Sequence, residues 1–221
     1  MRWVVIGGGG FGLELYTYLT DDIVRGHLPA ATVAVVDDNS SCEILRRLPS
    51  ATYLGGLGSY TPGADDRGLI AVGTPASRRS LFDACAARCL PLGKYVHRTA
   101  WVAPSASLGP GTIISPFTVV AACAAVGANV ATNVHCGIGH GSRVGAHTVL
   151  GPYSVLNGDT AVGDRTLLGT RATLFPGVSI GVGCVVDAHT AVRRSTGDYR
   201  MLSTRRHDVD VENRLADRST P

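Results

Sequence analysis

An aliphatic residue returns at every sixth position from Val102 to Val192, with Thr132 as the exception, over sixteen successive hexads. A period of six matches neither an α-helix nor a simple β-strand. It predicts a chain wound around a triangular prism, in which each hexad forms one flat side and its aliphatic residue fills the axis. Sixteen hexads at three per coil make about five coils. The position four residues after each aliphatic residue is always small or β-branched, which allows a tight corner: Ala106, Thr112, Thr118, Ala124, Val130, Cys136, Ser142, Thr148, Ser154, Thr160, Thr166, Ala172, Val178, Cys184, Thr190 and Thr196.

This period is typical of a left-handed β-helix of hexapeptide repeats, a fold that departs from the usual right-handed crossover of parallel strands. An open end of such a helix exposes unpaired backbone groups, so both ends need covers. We expect the N-terminal part of the chain and a charged C-terminal arm to provide them. The repeat stops at Arg193 and Arg194.

The first 97 residues follow another rule, with strand-like and helical runs in alternation. A strand over Arg2–Ile6, a glycine loop, a helix over Leu13–Leu19 and a strand over Thr32–Val36 form a βαβ unit. Further predicted elements are strands near Thr52–Leu54, Leu69–Val72 and Tyr95 and a helix over Ala76–Arg88. The sequence therefore predicts an α/β, Rossmann-like half domain over 1–97, an all-β left-handed helix over 98–196, and an arm over 197–221 that is partly disordered near 218–221.

Composition narrows the class of partner and the compartment. The 20 basic and 17 acidic residues give a net charge of +3 without any basic run, which argues against nucleic acid. No apolar stretch reaches membrane-spanning length, and we expect no signal peptide before the first strand. The six cysteines show no CxxC pair and are expected to be reduced thiols. We therefore expect a cytoplasmic protein with no membrane partner.

The glycine loop is the first candidate binding site. Gly7, Gly9 and Gly12 fit G-x-G-x-x-G between a strand and a helix, where the helix N-terminus attracts phosphate. Asp37 ends the next strand, where a ribose hydroxyl is often held. The motif alone suggests NAD, but the unit has only half of a dinucleotide fold, so a nucleotide-linked sugar fits its size better. Glycines that serve only a tight turn are the remaining alternative.

Three histidines, His135, His140 and His147, fall within thirteen residues of the repeat region. A neutral imidazole is the usual general base for an amine or hydroxyl that attacks a thioester. Their hexad positions predict that all three point outward near corners, so that the site lies between chains. For His147 and His189 a solvated or hydrogen-bonded surface position is the preferred interpretation. His135 and His140 are also candidate ligands of an interface zinc, as in gamma carbonic anhydrases.

The ordered set of motifs resembles the bacterial sugar O-acyl and N-acyltransferases that include sialic acid O-acetyltransferases and UDP-4-amino-sugar N-acetyltransferases. The resemblance covers residues 1 to about 192. The residues that carry it are Val4–Gly12, Val35–Asp38, Ile70–Gly73, His97–Ala106 and Gly139–Gly145.

The resemblance implies a role for each matching position. The N-terminal domain would hold a nucleotide-sugar acceptor through the residues Gly9, Gly10, Phe11, Asp37, Asp38 and Gly73. His140 matches the general base, and His135 would line the same cleft. Acetyl-CoA, the acyl donor, would lie in a trimer cleft near Gly158, Thr170 and Ala188.

The chain also departs from this family. An acidic residue usually follows the base histidine, but here Gly141 does, so the orientation of His140 must come from elsewhere, with Asn133 or a neighbouring chain as candidates. Phe11 stands at a loop position often filled by histidine, and Val149 stands where a second imidazole is usual. Met201–Thr204 replaces the usual Gly-x-Pro-Ala ending.

Together these features predict a homotrimeric, metal-free acyltransferase that moves acetyl or another small acyl group from acyl-CoA to an amino group of a nucleotide-linked sugar. Two alternatives stay open. The first is a trimeric scaffold that binds a nucleotide sugar without turnover, for which Gly141 is the best support. The second is a zinc-dependent hydratase of the gamma carbonic anhydrase type.

Overall fold

The computed structural model describes residues 1–29, 32–204 and 209–212, the last four as backbone only. The N-terminal unit is a parallel four-stranded sheet in the order β3-β2-β1-β4. Its strands are β1 (Arg2–Ile6), β2 (Thr32–Val36), β3 (Thr52–Tyr53) and β4 (Asp66–Ile70). Its helices are α1 (Gly10–Val24), α2 (Glu43–Arg47) and α3 (Pro75–Ala87).

Two predicted elements of this unit begin three residues earlier than expected, and one helix was not predicted. Helix α1 begins three residues before the predicted Leu13, with Gly9 as its N-cap, and continues to Val24. Strand β4 spans Asp66–Ile70 instead of Leu69–Val72, and α2 was not predicted at all. Five residues are too few to show a helical period, which explains the omission of α2.

The rest of the chain is the predicted left-handed β-helix, with three faces that follow one another along the chain. The first face contains β5 (Tyr95–Val96), β8 (Ile113–Ile114), β11 (Ala131–Thr132), β14 (Val149–Leu150), β17 (Leu167–Leu168) and β20 (Val185–Val186). The second face contains β6 (Trp101–Val102), β9 (Val119–Val120), β12 (Gly137–Ile138), β15 (Val155–Leu156), β18 (Thr173–Leu174) and β21 (Ala191–Val192). The third face contains β7 (Ser107–Leu108), β10 (Ala125–Val126), β13 (Arg143–Val144), β16 (Ala161–Val162) and β19 (Ser179–Ile180).

The two repeating sequence positions are both inward, as predicted. The aliphatic series forms one buried cluster along the axis. Fourteen of the sixteen small residues four positions later are buried at the corners, and Ala106 and Thr196 at the two ends are half-buried. Several of their hydroxyls donate to a carbonyl of the next coil, as Ser142 does to Asn157 at 2.9 Å. Corner residues three positions after each aliphatic residue adopt the left-handed conformation, among them His135, His147 and Asp159.

Thr132 breaks the aliphatic series because its hydroxyl replaces a ladder hydrogen bond. The N–H of Ser115 donates to Thr132 Oγ1 at 3.0 Å, and that hydroxyl lies 3.3 Å from the carbonyl oxygen of Ile113. Thr132 is fully buried, so the polar group is satisfied within the axis.

Strand β5 corrects the predicted membership of Tyr95. The sequence assigned this strand to the N-terminal unit, but Tyr95 and Val96 pair in parallel with Ile113 and Ile114. The strand is therefore the first strand of the β-helix. The phenol of Tyr95 donates back to Asp22 on α1 at 2.8 Å, which ties the two parts together.

The N-terminal unit packs on the flank of the β-helix and not over its end, contrary to the expected cap. Ile113 and Ala131, which face outward from the first face, belong to the same buried cluster as the core of the N-terminal unit. In the first coil, Val102 and Leu108 are only partly buried. The unit therefore leaves part of that end exposed.

The C-terminal arm begins as a continuation of the winding. Strand β22 (Arg200–Ser203) pairs in parallel with β20, and β23 (Val209–Glu212) adds to it in antiparallel fashion. Leu202 packs against the axial core. The arm therefore extends the first face at its last coil, as the predicted cover requires, while the predicted disorder near 218–221 lies outside the described residues.

Candidate functional site

The three neighbouring histidines lie at three different corners of the prism. His135 follows β11 at the corner between the first and second faces, His140 follows β12 at the next corner, and His147 follows β13 at the third. His135 and His140 are exposed, whereas His147 is buried. The three rings therefore do not converge within one chain.

His140 stands at the edge of an open cavity of about 500 Å³ on the second face. The floor is apolar, with Val119, Ile138 and Val155 among its residues. Strand β12 contributes Gly137 at its outward position, and the missing side chain leaves a groove between the neighbouring strands. The cavity thus combines an apolar trough with one titratable imidazole at its rim.

Gly158 forms the surface on which the His140 ring rests. A Cβ atom at this position would overlap the Cε1 and Nε2 atoms of the imidazole, so glycine leaves room for the ring in this orientation. The N–H of Gly158 has no hydrogen-bond partner among the described residues. At the same position of other hexads, the N–H groups of Ala146 and Ala188 donate to aspartate side chains. Gly158 therefore lines the cavity beside His140 with a backbone N–H that no described residue uses.

A carboxylate that sequence reasoning missed lies next to the imidazole. Asp159 Oδ2 is 3.8 Å from His140 Nδ1, and both side chains are about 70 % exposed (71 % and 72 %). A Cβ atom at Gly141 would overlap Oδ1 of Asp159, so the glycine after the histidine provides the room for this carboxylate. A carboxylate from the next coil therefore lies near the ring, although none follows His140 directly along the chain. Asn133, the proposed alternative, instead bonds the N–H of Val134 and lies at another corner.

A second cavity of about 270 Å³ lies between the glycine loop and the first face of the β-helix. Phe11 and Gly73 line it from the N-terminal unit, and Asn133, Gly151 and Thr170 line it from the β-helix. Two of the predicted acceptor residues, Phe11 and Gly73, therefore meet at one cavity. Thr170, predicted for the thioester, lies here and not beside His140.

The remaining loop residues have mixed roles. Asp37 Oδ2 accepts from the N–H of Gly8 at 2.6 Å, and its Oδ1 accepts from the N–H of Asn39 at 2.8 Å. Asp38 accepts from the N–H of Leu57 at 3.0 Å. Asp37 thus holds the glycine loop in shape and Asp38 holds the segment after β3, and each oxygen keeps a further lone pair for a ligand. Gly9 and Gly10 are exposed at the start of α1. A Cβ atom at Gly9 would meet open space, and one at Gly10 would lie 3.6 Å from Oε2 of Glu43.

His135 is held in a stack of aromatic rings along one corner. Its ring centroid is 4.7 Å from that of Phe117 and 4.6 Å from that of Tyr153, in near-parallel planes. The Arg171 guanidinium continues the ladder at 5.5 Å from the Tyr153 ring. This corner also carries the exposed Ala188, so Gly158, Thr170 and Ala188 do not share one cavity.

His147 is not the outward surface residue that its hexad position suggested. Helix α3 covers it, with Phe82 in edge contact at a ring separation of 5.0 Å. Asn129 Nδ2 lies 3.0 Å from Nδ1 of His147, so the hydrogen-bonded part of the interpretation holds. Burial, with the nearby Arg79 as a smaller cause, lowers the pKa of His147 to about 4. The ring of His147 therefore stays neutral and buried, and it packs between α3 and the β-helix.

The same contact contains a buried arginine without a carboxylate partner. Arg78 on α3 is fully buried, and burial lowers its pKa to about 9. Its guanidinium donates to Asn129 Oδ1 at 2.6 Å, to the Asn129 carbonyl at 2.8 Å and to the Ile70 carbonyl at 2.6 Å. Neutral acceptors thus replace a counterion, and they fix α3 against the corner that carries Asn129 and His147.

In the described part of the chain, no group of three or more His, Cys, Asp or Glu side chains is arranged to hold a metal ion. In the same residues, no helix is both long and apolar enough to span a membrane.

Comparison with known proteins identifies the fold. No protein-family model matches the chain, and no curated protein matches its sequence. PerB from Caulobacter crescentus, solved with CoA and GDP-perosamine, is 24% identical, with 96% of this chain and 97% of that chain covered at a TM-score of 0.79.

Two other solved structures agree over the whole length. The acetyltransferase domain of PglB from Neisseria gonorrhoeae is 22% identical, with 95% and 99% coverage and a TM-score of 0.83. WeeI from Acinetobacter baumannii is 19% identical, with 96% and 100% coverage and the same TM-score. At these identities the likeness establishes the two-part fold, an α/β unit followed by a left-handed β-helix.

Proposed function

We propose that this protein is an acyl-CoA-dependent N-acyltransferase that transfers acetyl, or another small acyl group, to an amino group of a nucleotide-linked sugar. The observation that carries the proposal is the His140 imidazole at the rim of an apolar cavity, packed on Gly158 with a free backbone N–H beside it. Fold similarity alone does not assign a function, so the argument starts from this site.

His140 has the position of a general base. As the acceptor nitrogen attacks the thioester carbonyl, the imidazole takes the amine proton, and the developing oxyanion accepts a hydrogen bond from the Gly158 N–H. When the tetrahedral intermediate collapses, the C–S bond breaks and the imidazolium returns a proton to the thiolate. An amide and free CoA are the products, and no metal or redox partner is needed.

The second cavity is the proposed acceptor site. Phe11 and Gly73 lie where a nucleotide-linked sugar would meet both the glycine loop and the β-helix, and the exposed N-terminus of α1 at Gly9 and Gly10 favours a phosphate there. Asp37 shapes the glycine loop, Asp38 holds the segment after β3, and both carboxylates have free lone pairs for ribose or base. In this proposal residues 1–97 hold the acceptor and residues 98–196 carry the chemistry.

A homotrimer would bring the two cavities together. They lie on different faces of one chain, so a site that needs both requires an adjacent copy. The exposed Trp101, Phe117 and Tyr153, around the second face, give such a neighbour apolar surface to cover. Additional support comes from the complexes of PerB with CoA and GDP-perosamine and of the PglB acetyltransferase domain with acetyl coenzyme A.

The test is a panel of nucleotide-linked amino sugars incubated with acetyl-CoA and analysed by mass spectrometry for the acetylated product. We expect one acceptor to gain an acetyl group and to release CoA in equal amount. His140→Ala should lower kcat by about 10²- to 10⁴-fold with folding and assembly unchanged. His189→Ala changes an exposed histidine at another corner of the prism, so it is the matched control and should retain activity.

Three results would overturn the proposal. Binding of a nucleotide sugar without turnover of any acyl-CoA would favour the scaffold. Stoichiometric zinc that is released by both His135→Ala and His140→Ala would favour the hydratase. A concentration-independent monomer in sedimentation, at 22.9 kDa and not about three times that mass, would remove the shared site.

A further inference from the structure

We propose that Asp159 is the positioning residue for His140, and that it replaces the carboxylate expected at position 141. In this assignment Asp159 accepts a hydrogen bond from Nδ1–H of the imidazole, which leaves the Nε2 lone pair available to the acceptor amine. The expected effect of Asp159 on turnover rests on the proposed function. The tautomer of His140 can be measured without any activity, so it tests the inference separately.

The winding of the β-helix brings the two residues together. Gly141 and Asp159 are both left-handed corner residues of the same edge, one coil apart, with φ angles of +65° and +58°. The next residue along this edge is Gly177, also left-handed. Asp159 therefore stands between two glycines, and its side chain has room to turn toward the histidine that precedes Gly141.

The environment leaves Asp159 as the natural partner of the ring. His140 and Asp159 are the titratable side chains of the described residues that line this cavity, and the others are apolar or amide side chains or glycine. The Nδ1 to Oδ2 distance of 3.8 Å is longer than a hydrogen bond. Catalytic contacts of this kind often shorten when substrate binds and charge develops on the imidazole. A covering chain would also lower the local dielectric and strengthen the attraction.

A carboxylate at this position does two things for a general base. It selects the Nδ1–H tautomer, so that Nε2 is unprotonated, and it stabilises the imidazolium that forms when the amine loses its proton. Loss of the carboxylate should therefore reduce kcat more than the KM for the acyl donor, because the donor does not need the charge on Asp159 in order to bind.

The first experiment reads the tautomer without using activity. The full-length protein is labelled with ¹⁵N-histidine, and the His140 signals are assigned by their loss in His140→Gln. We expect neutral His140 to be protonated at Nδ1 in the wild type and to shift toward Nε2 protonation in Asp159→Asn. Asp83→Asn, which removes a carboxylate of the exposed ion pair with Arg79, should leave the tautomer unchanged. The same tautomer in wild type and Asp159→Asn would overturn the proposal, whether or not the protein is an acyltransferase.

The second experiment moves the carboxylate back to the usual position. Gly141→Asp alone should lower kcat because its Cβ atom takes the place of Oδ1 of Asp159 and turns that carboxylate away from the ring, and Asp159→Gly alone should lose about 10- to 100-fold in kcat. The double variant Gly141→Asp, Asp159→Gly relieves the overlap and restores an acid beside the ring. Aspartate also tolerates the left-handed backbone of position 141 better than most residues.

Rescue separates positioning from a structural role. Asp159→Gly lowers log kcat relative to the wild type, and we expect the double variant to recover at least about half of that decrease. The Nδ1–H tautomer of His140 should recover with it. Additive losses in the double variant, with all three proteins folded and assembled, would overturn the proposal. If no acceptor is turned over by the wild type, the proposed function fails, while the tautomer comparison still decides the role of Asp159.

Discussion

The contact between α3 and the third corner of the β-helix predicts a large effect for a small substitution, Asn129→Gly. Asn129 is fully buried and left-handed, with a φ angle of +54°, so glycine keeps the backbone unstrained. The backbone carbonyl that accepts from Arg78 at 2.8 Å also remains. The substitution therefore removes only the side-chain amide and its hydrogen bonds.

The magnitude follows from the three contacts that disappear. Asn129 Oδ1 accepts from the Arg78 guanidinium at 2.6 Å, and a hydrogen bond to a charged group is worth about 1.5–3 kcal/mol. Asn129 Nδ2 donates to the Arg78 carbonyl at 2.9 Å and lies 3.0 Å from His147 Nδ1, two neutral contacts of about 1 kcal/mol each. The free energy of unfolding should fall by about 3–5 kcal/mol, since the arginine is left charged and partly unpaired.

Asn129→Ala separates the side chain from the backbone. It loses the same three contacts and also places a Cβ atom in the left-handed region, which costs about 1 kcal/mol more. Asn39→Gly is the matched control, because Asn39 is exposed and its side chain accepts one hydrogen bond, from the N–H of Ser41 at 2.9 Å. The control should change stability by less than about 1 kcal/mol.

Urea unfolding of the full-length chain, at one fixed protein concentration, measures these differences. The buried Trp3 reports on the N-terminal unit, and a Trp101→Phe background leaves it as the single tryptophan. A loss below about 1 kcal/mol for Asn129→Gly would refute the reasoning, as water would then satisfy Arg78 at little cost. Equal stability of the glycine and alanine variants would refute only the cost assigned to a Cβ atom in the left-handed region.

Three further predictions test other parts of the argument. Gly158→Ala should lower kcat at least about tenfold with little change in stability, because its Cβ atom displaces the His140 ring; unchanged steady-state kinetics would contradict this packing. The pKa of His147 is lowered to about 4, so its contribution to stability, up to about 3 kcal/mol, is present above pH 6.5 and is lost as the pH falls toward 4; His147→Asn should flatten this part of the unfolding profile. Thr132→Val restores the aliphatic pattern but should destabilise the chain by about 1–3 kcal/mol in urea unfolding, since the buried N–H of Ser115 loses its acceptor; a stabilised variant would show that the pattern outweighs the hydrogen bond.

Long-period repetition made most of the fold predictable from sequence. One aliphatic residue per hexad specifies an axis, and one small residue specifies each corner, so both positions were assigned correctly before the structure was known. The β1 and β2 strands were equally clear because a buried parallel strand is a short apolar run. Thr132 could be recognised as an exception but not explained, since its partner Ser115 lies in the preceding coil.

The candidate site was only partly determined by the sequence. The motif around His140 was visible, and so were the glycine loop and the departure at Gly141. The partner Asp159 was missed because a carboxylate was sought next to the histidine along the chain. A signal did exist, as residues eighteen apart lie one above the other in this fold and Gly141 and Asp159 are eighteen apart.

Only the tertiary structure decided which outward-pointing side chains of the β-helix are covered by the N-terminal unit. His140 and His147 both follow a strand of the β-helix, yet one is open to solvent and the other lies under α3 beside Asn129. Hexad register gives the direction of a side chain from the axis, which is a local property. The side of the prism on which the N-terminal unit docks depends on long-range contacts of Arg78 and Tyr95, and no local pattern encodes them. The sequence therefore determined the coil and its candidate base, and only the packing of the two parts decided which of its histidines remain free for chemistry.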